Sequence, residues 1–189
     1  RQGKVIGVQT PDGEIETDHV ILAIGHSARD TFEMLLETGV FLEPKPFSVG
    51  VRVEHLQETI NHGLYGIHSS DPRLPQGEYQ LSHRENGRAV YTFCMCPGGQ
   101  VVAAASEENT VVTNGMSNFL RDGKNANSAV VVSVDAKDFG SHPLDGICFQ
   151  RHLEQAAFHA GGNAYRAPSQ TLREFREKRK GLTIKNVQP

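Results

Sequence analysis

The stretch that most constrains the fold is Val20-Ile21-Leu22-Ala23-Ile24, an unbroken apolar run that stops at Gly25. Such a run, bounded by glycine, is the pattern of a strand buried on both faces of a parallel sheet. A hairpin leads into it. Residues 4–9 and 14–24 are both strand-like, and Thr10-Pro11-Asp12-Gly13 between them is a turn in which Gly13 supplies a positive φ. After the run, Asp30 and Glu33 stand at capping-box spacing, with Asp30 as N-cap. Phe32, Leu35 and Leu36 make a helical stripe, and Gly39 is placed to end the helix. Hairpin, buried strand, glycine turn and helix predict one α/β element over residues 1–45.

The character changes at Pro44 and Pro46, and the sequence predicts a domain junction near residue 45. Phe47 to Glu54 alternates like a strand, and Leu56, Ile60 and Leu64 suggest a short helix. Further strands are expected at 78–83, 89–94, 101–105, 110–113 and 129–135. Phe149, His152, Leu153, Ala156, Ala157 and Ala160 recur with helical period before Gly161-Gly162, and Thr171 with Glu174 opens a last helix. The charges of that helix mix both signs, the composition of a solvated face. The fold class is therefore α+β: a β-rich inserted domain over 46–180 with two or three helices, a hairpin-strand-helix piece before it, and a linker over 181–189.

Composition narrows the function classes. A net charge of −3 over 189 residues lacks the basic footprint of a nucleic-acid or membrane-surface protein, so small molecules or proteins are the expected partners. No run reaches the ~18 apolar residues of a membrane span. Three cysteines, two of them one residue apart, do not form a disulfide framework and fit a reducing cytoplasm. The chain opens on Arg1, which suggests a piece of a longer protein.

Tyr91 to Gly99, YTFCMCPGG, has the marks of a site. An alternating, aromatic lead-in is strand-like, which puts Cys94 and Cys96 on one face. Pro97-Gly98-Gly99 ends the strand and lets backbone approach something closely. A metal pair needs about four Cys or His ligands, and no second pair stands at ligand spacing. A redox disulfide would close a very small ring. Small buried residues lining a strand, or thiols near a ligand, remain as the other readings, and Cys148 is read as packing. Arg52 and Glu54 share a strand face, where they either pair or present a cation to an anionic group, with His55 next to them. Asn114, Ser117, Arg121 and Asn127 are turn-forming types whose local hydrogen bonds account for them, with a polar substrate channel as the alternative.

Thr17-Asp18-His19-Val20-Ile21-Leu22-Ala23-Ile24-Gly25 resembles the hairpin-led strand of flavoproteins with two dinucleotide domains. Together with GHSARDTFEMLLETGV from Gly25, PFSVGVRVEH from Pro46, YTFCMCPGG, NGMS from Asn114, Arg121, NANSA ending at Ala129, and GICFQRHLEQAA from Gly146, it resembles the bacterial family of uncharacterised FAD-dependent dehydrogenases or NAD(FAD)-utilising oxidoreductases. One departure stands out. None of the nineteen glycines lie at i and i+2, so the G-x-G-x-x-G turn that holds a dinucleotide pyrophosphate is absent. The resemblance therefore implies an internal fragment of a flavin-dependent oxidoreductase, completed by FAD-binding segments elsewhere in the polypeptide and unable to hold FAD tightly alone. It implies hydride transfer through FAD on a small-molecule substrate, with NAD(P)H as a candidate reductant. Cofactor proximity falls on Gly25, His26, Ser27, Pro97, Gly98 and Gly99, and Cys94, Cys96, His55 and Arg52 are the candidates for chemistry. No metal site is expected. The rival reading is a non-catalytic ligand- or partner-binding domain on the same scaffold.

Overall fold

The computed structural model describes residues 3–179, so the expected linker at 181–189 lies outside the described residues. Among the described residues every strand pairing is antiparallel, and the elements mix helix and sheet in an α+β arrangement. The centre is a four-stranded sheet. Strand β3 (Phe47–Leu56) pairs along its whole length with β8 (Asn125–Val134), β8 pairs with β5 (Arg88–Cys96), and β4 (Ser82–Glu85) closes the far edge. Hairpin β6 (Gly99–Ala104) and β7 (Val112–Ser117) forms a separate two-stranded sheet, as do β1 (Gly7–Thr10) and β2 (Gly13–Glu16).

Register assigns the faces of the central sheet. Directly opposed residues share a face, so Arg52 with Ala129 and Glu54 with Asn127 lie on one side, and Val53 with Ser128 and His55 with Ala126 on the other. The β6–β7 hairpin covers the Arg52 side. A Cβ on Gly115 would stand 2.2 Å from Arg52 Nη1 and from Asn127 Oδ1, so only glycine lets the hairpin descend this far. The amide of Val101 donates to Glu54 Oε2 at 3.0 Å from the same hairpin.

The α-helices among the described residues are α1 (Arg29–Glu37), α2 (Gln57–Tyr65), α3 (Ala136–Phe139), α4 (Asp145–Ala160) and α5 (Leu172–Arg176). The expected Thr171–Glu174 capping box is formed at α5, and the neighbouring charges pair in solvent, Arg179 with Glu177 at 3.1 Å. In α1 the expected cap is displaced: Ala28 occupies the N-cap and Asp30 lies in the first turn, where its carboxylate accepts from the Thr31 amide. Gly39, at φ +82, follows that helix as expected.

Two apolar centres hold these pieces. Val111, Phe158 and Ala167 are buried together, with Ala103 and Ala157 packed against them. At the start of β3, Phe47 stacks on Phe139 at 5.2 Å and meets Phe149 edge-on at 6.3 Å. Helix α4 exists where its periodicity predicts, but it turns a different face inward. Glu154 and Phe158 are buried while Leu153 is 40% exposed, because Glu154 has a buried cationic partner.

The apolar run departs furthest from expectation. Residues 20–24 form no strand, pair with no other segment among the described residues, and leave Ile21 91% exposed. A strand buried on both faces requires strands beside it and helices above and below, and the described residues supply none.

Candidate functional site

Strand β5 does not keep its alternation to the end. The pairing with β8 shifts between Phe93 and Cys96, and Cys94 takes a left-handed φ of +49. At this bulge Cys94 is exposed and Cys96 is buried, while the two thiols remain close enough to interact. Both thiols are free, and Cys96 Sγ donates to the Cys94 carbonyl at 3.5 Å. Burial pushes the Cys96 thiol above its ordinary range, with the Arg52 guanidinium opposing that shift. Cys148, read from the sequence as packing, is exposed on α4.

Arg52 is committed inward. Its Nη1 donates to the Cys94 carbonyl at 3.2 Å and to Asn127 Oδ1, and it makes no pair with Glu54, whose carboxylate instead accepts from Val101 N and, at 2.8 Å, from Asn125 Nδ2. Asn127 is fully buried in β8 and not in a turn, and its Nδ2 has no partner. Asn114 and Ser117 likewise lie in strand β7, whereas Arg121 does occupy a turn, at φ +52, paired with Glu78. His55 sits on the opposite side of the sheet from Arg52. Its Nε2 shares a 2.7 Å hydrogen bond with the Tyr79 hydroxyl, whose pKa burial raises, and its buried Nδ1 is without a partner.

The Pro97-Gly98-Gly99 turn is fixed from below. Gln57, 3% exposed, accepts the Gly98 amide at 2.9 Å and donates to the Gly77 carbonyl and to Asn61. The close approach these glycines allow is to the chain itself: a Cβ on Gly98 would stand 1.9 Å from the Arg121 carbonyl oxygen, and one on Gly99 2.4 Å from that of Met116. Beside the turn runs a groove of about 260 Å³, lined among others by Gly98, Gly99, Gln100, Asn118 and Lys124. Lys124 and Gly123 also border a second groove, of about 290 Å³.

Gly25, His26 and Ser27 form the other cluster. Gly25 turns at φ +72, and no atom stands within 4 Å of where its Cβ would be, so bare backbone faces open space. The neighbouring side chains reach across to the loop after β6. Ser27 Oγ donates to Ser106 Oγ at 3.2 Å, and His26 Nε2 lies 3.3 Å from the same hydroxyl. Two residues on, Arg29 is 2% exposed and grips two carboxylates, Nη1 to Glu107 Oε2 at 2.7 Å and Nη2 to Glu154 Oε1 at 2.8 Å. Arg151 holds Glu107 from the other side through two further bonds, at 2.8 and 2.7 Å. The Arg151 and Arg29 guanidiniums together bring the Glu107 carboxyl down to about 2, and Glu107 raises the Arg151 pKa in return.

The two clusters stand at opposite ends of β6, a six-residue strand about 17 Å long at ~3.4 Å per residue. Gln57, Ser106, Glu107, Arg151 and Glu154 escape sequence reasoning. Arg29 meets its partners 78 and 125 residues away, and no local spacing signals such a contact. Among the described residues no three His, Cys, Asp or Glu side chains are grouped to hold a metal ion, and no helix is long and apolar enough to cross a membrane.

Comparison with known proteins adds two findings. A family model described as "FAD-dependent protein, C-terminal domain-like" matches residues 46–189. The chain is also 47% identical over 192 aligned residues to an uncharacterized protein of Clostridium beijerinckii, a match that covers 100% of this chain and 36% of that protein. The chain thus spans about a third of the length of the curated relative it matches.

Proposed function

The chain belongs to the family of FAD-dependent proteins with this C-terminal domain, and from that premise we propose that it serves a flavin-dependent oxidoreductase as its substrate-side portion. One observation carries the reading: Gly25 presents an open, left-handed backbone turn directly after an exposed apolar stretch. A glycine with nothing beside its Cβ position leaves room for a flat ligand edge against backbone. Exposed Ile21 and Leu22 are the surface that further strands of a dinucleotide-binding sheet would cover. These residues fit FAD at the turn, with the pyrophosphate held by segments elsewhere in the polypeptide.

When bound, FAD supplies a hydride acceptor or donor, the chemistry that no side chain here provides. This chain orients and encloses. Gly25 sets the backbone against the cofactor edge, and the His26–Ser27–Ser106 bonds fix the turn. Hydride transfer needs the reacting carbon against the flavin, so a small substrate binds at the Gly25 turn. The groove beside Gly98 and Gly99, at the other end of β6, takes no part in that step. Arg52 braces the β5 bulge beside it and does not contact substrate. Cys96 stays a protonated thiol at neutral pH and takes no part as nucleophile. The protein works in the cytoplasm in this reading, and its reductant is unassigned.

The test is the colour of the full-length polypeptide. Protein purified from cells is expected to be yellow, to release FAD on denaturation, and to bleach on anaerobic reduction. Colourless protein that takes up no added FAD would sink the proposal and favour a non-catalytic binding domain.

A further inference from the structure

We propose that the Arg29–Glu107–Glu154 cluster is the joint through which the body of the protein sets the position of the Gly25–Ser27 turn, making Arg29 a positioning residue for the cofactor. The role assigned to the turn rests on the flavin reading above; the joint itself rests on geometry alone.

Among the described residues, no sheet ladder ties the first part of the chain to the rest. Strands β1 and β2 pair only with each other, and residues 17–28 form no strand. What holds α1 to the body is a set of side chains. Arg29, its first residue, is buried and spans two carboxylates on different elements, Glu107 in the β6–β7 loop and Glu154 on α4. One helical turn further on, Glu33 lies 3.6 Å from Arg151, the residue that grips Glu107 from the opposite side. The neighbouring Ser106 bonds Ser27 and approaches His26. Thus 26, 27 and 29 on one segment meet 106 and 107 on the other, a two-point register that fixes angle as well as distance.

The chemistry suits a joint. A guanidinium is planar and always charged, and its fork fixes the relative orientation of both carboxylates in a way that a lysine ammonium does not. The cluster also leaves Arg29 Nε and Glu154 Oε2 buried without partners. Apolar packing of the same volume would avoid that cost, so the cluster is better suited to specifying one geometry than to raising stability.

The experiment uses the full-length polypeptide with Arg29→Met, Arg29→Lys and Glu154→Gln. Two readouts are taken: FAD affinity with the visible circular dichroism of the bound flavin, and hydrogen exchange across the chain. For Arg29→Met the FAD dissociation constant is expected to rise roughly tenfold, the size of a typical coupling between sites. The flavin dichroism should change, and amides of 29–37 should lose protection while those of 125–134 keep theirs. Arg29→Lys should recover part of the affinity. If Arg29→Met does not fold, Glu154→Gln, which keeps shape and removes one charge, is read in the same way. Folded variants with wild-type FAD affinity, dichroism and exchange overturn the joint. A wild-type protein that binds no FAD removes the flavin reading alone, and exchange then decides: selective loss over 29–37 supports the joint, and unchanged protection refutes it.

Discussion

The side-chain oxygen of Gln57 accepts the backbone amide of Gly98 at 2.9 Å, and through that bond the first turn of α2 carries the Pro97-Gly98-Gly99 turn. Gln57 is buried, and its Nε2 also serves the Gly77 carbonyl at 3.0 Å. Replacing it by leucine leaves a buried donor and a buried acceptor unpaired. The expected cost is roughly 2–4 kcal/mol of stability, from two unsatisfied backbone groups at about 1–3 kcal/mol each, less some relaxation. Equilibrium denaturation measures it. A loss below about 0.5 kcal/mol, the range of an ordinary surface change, would mean that the bond does not hold the turn.

Two glycines in left-handed turns are expected to answer differently to alanine. At Gly98 the added Cβ meets the Arg121 carbonyl at 1.9 Å and φ is +56, so the turn must open; a loss above about 3 kcal/mol is expected, strain and clash together. At Gly25 φ is +72 but the space is empty, so Gly25→Ala should cost only the conformational penalty of about 1 kcal/mol. If the turn faces the flavin, Gly25→Ala should instead show itself as weakened FAD binding in the full-length protein. Thermal denaturation with and without added FAD separates the two effects.

The three thiols divide by the β5 bulge. Cys94 and Cys148 are exposed, whereas Cys96 is buried and burial raises its pKa, which lowers its thiolate fraction. Brief alkylation of the native protein followed by peptide mapping should place label on Cys94 and Cys148, and on Cys96 only after unfolding. Equal labelling of Cys94 and Cys96 would show that the strand alternates without a bulge.

Local signals were legible where a short stretch decides its own conformation. The Thr10-Pro11-Asp12-Gly13 turn, helix α4, and the Thr171–Glu174 capping box all follow from neighbours a few residues apart. Asn86-Gly87 is a local signal of the same kind: both residues take positive φ and join β4 to β5 as a tight hairpin, which sets β4 at Ser82–Glu85 and not at 78–83. Other features were not local. The inward face of α4 depends on Glu154 meeting an arginine 125 residues earlier, and the left-handed turn at Cys94 lies where the β5–β8 register slips. Residues 20–24 read as a buried strand because periodicity reports what a segment can bury, not whether the covering elements lie in the same stretch of chain. The candidate site was half visible for the same reason. The Gly25 turn and the Gly98 turn announce themselves, while the buried side chains that carry them, Gln57 and Arg29 with its acids, do not.

The Glu107 carboxyl should give α1 an acid-sensitive attachment. Its folded pKa of about 2 lies below the ordinary 4.5, chiefly through its hydrogen bonds to Arg151 and then to Arg29. A depressed acid pKa contributes stability that is complete above the unfolded value and is lost as pH falls through the folded one. The contribution is therefore constant near neutral pH and declines from about 4.5 down to 2. Its size is on the order of 2 kcal/mol, after allowance for solvent screening of a side chain 28% exposed. Asp138, lowered to about 2 by Arg88, titrates in the same window, so total acid sensitivity does not isolate Glu107. Glu107→Gln does: it removes the titrating group and should flatten part of the decline in unfolding free energy below pH 4.5. The same variant should lower α1 protection at neutral pH, because two buried or half-buried guanidiniums lose their shared anion. An unchanged pH profile with unchanged exchange in 29–37 would place the acid sensitivity elsewhere and leave Glu107 a surface carboxylate.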